Sequence, residues 1–114
     1  MTDQEQKILE SLQRQYDTLH SKLPDLLAPT SGCSKDQKNQ FAGAVNMALL
    51  NLVNAQNELL GREEALIQQI SADVQKAELA IKAALSSLAD ISLCVNQMAH
   101  AVSSVATALK ILIP

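Results

Sequence analysis

From Ile67 onward the apolar positions alternate three and four residues apart: Ile67, Ile70, Val74, Ala77, Ile81, Ala84, Leu88, Ile91, Val95, Met98, Val102, Val105, Leu109 and Leu112. That spacing keeps one face of an α-helix apolar over its whole length. Fourteen consecutive matches in a chain that is 47% hydrophobic are not chance. The pattern predicts helix packed lengthwise against helix.

Two shorter seams precede it. Leu9, Leu12, Tyr16, Leu19, Leu23 and Leu26 mark a first helix over about 3–27. Asp3 and Glu5 stand in its first turn, where the helix dipole favours acids, and Pro24 kinks it or ends it near Leu23 before one further turn. A loop over 28–34 follows. Ser34 with Gln37 three residues on is a capping-box pattern, so a second helix runs over about 35–60 with the seam Phe41, Val45, Ala48, Leu52, Ala55 and Leu59. Gly61 suits a helix C-cap, and the seam phase shifts by one residue beyond it. A break or reversal at Gly61 accounts for both.

Residues 62–113 contain neither Gly nor Pro, and the 3-4 phase passes undisturbed through Ala84, Leu88 and Ile91. The expected fold is therefore all-α: an elongated, coiled-coil-like antiparallel bundle of three helices, the last running over 62–113 in a single domain. Such a helix would be about 75 Å long at 1.5 Å per residue. The alternative is an up-down four-helix bundle with a turn near Ser87, where Ser87 and Asp90 form a second capping-box pattern.

Flanking positions define how wide the dry face is. In the second half of the long seam they become Leu85, Ala99 and Ala106 on one side and Cys94, Ala101 and Ala108 on the other. Small apolar flanks allow close approach of two or three helices, whereas a two-stranded coiled coil prefers charges there. The opposite face is wet, with Asn96, Gln97, Ser103, Ser104, Thr107 and Lys110. Phe41 to Asn57 carries no charge, and neither does the stretch between Ile91 and Leu109 apart from His100. These two stretches should face each other, with part of the uncharged surface left for another molecule.

Composition narrows the function. Net charge is −3 without a basic cluster, which argues against nucleic-acid binding. Aromatics are nearly absent, at one Phe, one Tyr and no Trp. The polar start of the chain is unlike a signal peptide, and no run of about 18 apolar residues occurs, so the expected location is the cytoplasm, with export by a signal-less route as the other possibility. Cys33 and Cys94 then read as reduced thiols, Cys94 as a small buried hydrophobe and Cys33 as the exposed one.

Candidate chemistry is sparse. His20 and His100 lack metal-ligand partners at helical spacing, and Glu63 and Glu64 read as helix-start charge. His100 lacks the Lys-Gly pair that follows the histidine of helical phosphotransfer domains. No catalytic, metal or cofactor site, and no small-molecule substrate, is expected.

The reading that follows is a non-catalytic assembly, adaptor or structural subunit. It would work through the wide apolar face of residues 85–113: Leu88, Ile91, Val95, Met98, Val102, Val105 and Leu109. An unbroken long helix would outrun the first two and need a second chain to cover it, so the expected partner is itself, as a homodimer, or another helical protein. A membrane-active, pore-forming type of subunit comes second, although its helices lack the Trp and basic anchors that membranes favour. A bundle that holds an apolar ligand comes third.

Overall fold

The computed structural model describes residues 2–86 and 91–113. It contains α1 (Asp3–Ser21), the short α2 (Leu23–Leu27), α3 (Lys35–Glu58), α4 (Glu64–Leu85) and α5 (Ile91–Leu109), with a closing 3-10 turn over Lys110–Leu112. No strand occurs among the described residues. α1 packs on α3 and α4, and α5 packs on the same two, so the four long helices form a closed ring around one core.

The single long helix over 62–113 is not formed. α4 ends at Leu85 and α5 begins at Ile91, and the two lie side by side. They run antiparallel: one groove is lined by Ala80 and Ala83 together with Asn96 and His100, while Gln69 and Ile111 line its far end. The molecule measures 47 × 24 × 19 Å, too short for a 75 Å rod. The architecture is a four-helix bundle whose helices alternate in direction along the chain, with the consecutive α3 and α4 at opposite corners of the ring. α4 closes without Gly or Pro because Ser86 stays in the right-handed region, with its backbone N–H and its hydroxyl both donating to the Ala83 carbonyl. Ser87 and Asp90 lie outside the described residues.

The heptad phase is real but spans two helices. Every seam position from Ile67 to Ala84 is buried, and so is every one from Val95 to Leu112. Each stripe needs a dry neighbour, and the two stripes serve as neighbours for each other and for α1 and α3. The phase of one stripe places no constraint on the other across a reversal, so an in-register pair looks like one rod. The ground for a covering second chain disappears with it, since the second half of the seam is covered from within.

The remaining boundaries follow local chemistry. Ser34 accepts from the Gln37 N–H at 3.1 Å while the Gln37 side chain accepts from the Ser34 N–H at 2.8 Å, the expected capping box. Thr2 and Glu5 form another, at 3.1 and 2.8 Å, so Glu5 does more than meet the helix dipole. Gly61 takes φ +80°, the left-handed conformation that ends α3 and turns the chain into α4. Pro24 stands at the start of α2, where its missing N–H costs nothing, and α1 has stopped at Ser21.

On α1 the buried stripe is Glu5, Ile8, Leu12, Gln15 and Leu19 with Ser11 beside it, rotated from the expected seam. Leu9 and Tyr16 are only half-buried. Ser11 and Gln15 hold core positions here because α4 supplies partners for them, and Glu5 because it closes the capping box with Thr2.

Candidate functional site

Of the seven face residues expected from sequence, five are the molecule's own core. Val95, Met98, Val102 and Val105 are fully buried and Leu109 nearly so. Leu88 lies outside the described residues, and Ile91 is placed only as the first residue of α5. The Cys94 side of α5 is the deeper flank, with Cys94 and Ala101 buried, while Ala99 and Ala106 are half-buried. Asn96, Gln97, Ser103, Ser104, Thr107 and Lys110 are exposed, as the wet face requires.

The two uncharged stretches do face each other. Asn51 on α3 donates to the Val102 carbonyl at 3.1 Å, Gln40 donates to Asn96 at 3.0 Å, and the Ser103 hydroxyl reaches the Met47 sulfur at 3.8 Å. Yet α3 uses only one of its faces for this. Its outer face carries Gly43, Asn46, Leu50, Val53 and Asn57, all exposed, with Leu60 just past the helix end. Leu50 is 58% and Leu60 66% exposed, with Leu49 and Val53 at 40% beside them. These positions are again three and four residues apart, so α3 carries a second stripe opposite its buried one. The missing charge is legible in the sequence, but this second series hides between the stronger core positions.

A polar cluster joins α1 to α4. Arg14 donates to Glu78 through Nε at 3.1 Å and Nη2 at 3.0 Å, Lys82 approaches from the next turn at 3.3 Å, and the Ser11 hydroxyl donates to the same carboxylate. Burial pushes the Glu78 carboxyl up, but the hydrogen bonds from Arg14, Ser11 and Lys82 outweigh it and hold it at about 2. Gln15 donates to the Val74 carbonyl at 2.9 Å. Its Oε1 is the only buried side-chain nitrogen or oxygen without a hydrogen-bond partner among the described residues. The Glu78 carboxylate is engaged by three internal partners, which is how a structural latch looks.

A groove of about 540 Å³ runs between α4 and α5 on the outside. Ala77, Ala80, Ala101 and Ala108 form its floor, and Asp73, Lys76, His100 and Ser104 its rim. His20 stacks obliquely on Tyr16, with ring centroids 5.4 Å apart. Cys94 is fully buried, and burial, with the Cys33 thiol adding to it, pushes its thiol up. Cys33 is half-buried against the core rather than exposed. Among the described residues no group of three or more His, Cys, Asp or Glu side chains is placed to hold a metal ion, and no helix is long and apolar enough to cross a membrane.

No family model, curated protein or solved structure matches this chain.

Proposed function

We propose that this protein is a non-catalytic helical-bundle subunit that works by docking a helix on the outer face of α3. The observation that carries the reading is the exposed pair of Leu50 and Val53, flanked by Leu49, in the charge-free stretch from Phe41 to Asn57, with Leu60 continuing the row just past the helix end. Scattered surface leucines need no explanation, but a contiguous apolar row along one helix is unusual on a monomer and marks interaction surfaces. An α-helical partner suits it best, because a row spaced three and four residues apart offers a groove-and-ridge surface to another helix. The internal seam of α4 and α5 builds the scaffold that keeps α3 straight and presents the row.

A photoreactive amino acid tests this directly. Placed at position 50, and as a control at the exposed position 97 on α5, it is irradiated in the living cell. The reading expects a discrete protein adduct from position 50 and none from 97. Equal adducts from both, or none from either, would contradict it.

A further inference from the structure

We infer that the occupant of the α3 face is a second copy of this chain, its own α3 lying antiparallel across a two-fold axis between residues 51 and 52. The inference rests on the reading of α3 as a docking face and names its partner. A face that meets its own copy must be self-complementary, because residue i contacts residue j and j contacts i. The α3 stripe meets that condition in one register.

With the axis between residues 51 and 52, Leu50 lies opposite Val53 of the second copy, at the centre, and this layer occurs twice. Asn46 lies opposite Asn57 in the next layer on each side. An amide both donates and accepts, so an Asn–Asn pair satisfies itself whichever copy comes first. Gly43 lies opposite Leu60 in the outermost layer. A side chain added at Gly43 would meet nothing within 4 Å in the free bundle, so the position is open and leaves room for a leucine of the second copy. The most exposed leucine of the stripe thus faces the smallest residue.

Charge supports the same order. Between Lys38 and Glu58 the helix has no charge, so the central layers bury none. Residues 35–38 carry two lysines and one aspartate, whereas residues 58–64 carry three glutamates and one arginine. An antiparallel pair brings the net-positive end of one copy towards the net-negative end of the other. A parallel pair would set like against like and would place Leu60 on Leu60 and Gly43 on Gly43.

The test is mass in solution by light scattering over a concentration series, with two charge variants. Leu50→Glu and Val53→Lys both sit at exposed positions of the bundle, so each should keep its helical circular dichroism and a cooperative melt whose midpoint, unlike that of the wild type, does not depend on concentration. The wild type should approach twice the 12.3 kDa of the chain. Each variant alone should stay at the monomer mass, and an equimolar mixture of the two should recover the dimer, because position 50 of one chain meets position 53 of the other. As a second check, Gly43→Glu should raise helix propensity yet weaken the dimer at least tenfold. A wild type that stays monomeric would overturn the inference, and so would variants that dimerise alone or a mixture that stays monomeric. If the wild type is monomeric while position 50 still yields adducts to a different protein, α3 remains a docking face and only its occupant changes.

Discussion

The side-chain amide of Asn51 donates to the backbone carbonyl of Val102 at 3.1 Å, across the α3–α5 contact, and Asn51 is only 2% exposed. An apolar seam tolerates sliding along its axis, because leucine and valine offer no directional partner. A buried amide bonded to one carbonyl fixes the register of the two helices. Gln15 does the same between α1 and α4 through the Val74 carbonyl. Two opposite edges of the four-helix ring are thus pinned by side-chain amides.

Asn51→Ala should lose that bond and leave a small gap, lowering stability by about 1–2 kcal/mol. Asn51→Asp should cost more, because a carboxylate cannot donate to the Val102 carbonyl and its charge would be buried. Urea unfolding followed by circular dichroism measures both.

Glu78 supplies a pH dependence with a definite sign. Its carboxyl sits at about 2 in the folded chain against 4.5 as the unperturbed value, so the unfolded chain binds the proton more readily. The stabilisation is fully present above 4.5 and is lost as pH falls from there towards 2. Glu78→Gln should be less stable than the wild type by about 1–2 kcal/mol at pH 7. The two should converge in acid. Parallel urea titrations at pH 7, 4 and 2.5 read the effect.

Much of this fold is legible in the chain. The 3-4 spacing from Ile67 identifies as core all twelve seam residues whose burial is described, Ser34 and Gln37 mark the start of α3, and Gly61 marks the turn after it. The reversal after Leu85 is not legible, because the arms on either side of it share one phase and the closing residue is Ser86 rather than Gly. The polar core positions of α1 are hidden for a different reason. Ser11 and Gln15 are buried only because Glu78 and the Val74 carbonyl wait on α4, dozens of residues away. The α3 stripe is half legible: the lack of charge points to it, but Leu50 and Val53 are interleaved with the stronger series that ends inside.

Val95 and Leu79 make a matched contrast. Val95 is fully buried in α5, and Val95→Asp should place an unpaired charge in the core and cost more than about 3 kcal/mol, enough to unfold much of the population. Leu79 is 68% exposed on α4, and Leu79→Asp should change stability by less than about 0.5 kcal/mol. Thermal melts of the two variants side by side check the assignment of inside and outside.

Gly61 holds φ +80°, and a side chain there would meet no neighbour, so its substitution isolates backbone strain from crowding. Gly61→Ala should therefore destabilise by about 1 kcal/mol. Gly43 is helical in the middle of α3, and Gly43→Ala should instead stabilise the isolated bundle by about 0.5–1 kcal/mol. Opposite signs at the two glycines are the outcome to look for in the urea midpoints.

The central structural claim is that the seam beginning at Ile67 folds back on itself. Spin labels at Lys76 and Ser104, in a background with Cys33 and Cys94 replaced, measure it by pulsed dipolar spectroscopy. Both positions line the groove between α4 and α5. Diluting the labelled chain with unlabelled protein restricts the signal to distances within one chain. The fold predicts a label separation below about 25 Å, side by side across the packing distance of two helices with the label tethers included. A distance near 42 Å, the rise of about 28 helical residues, would mean that residues 62–113 form one rod and would contradict the bundle.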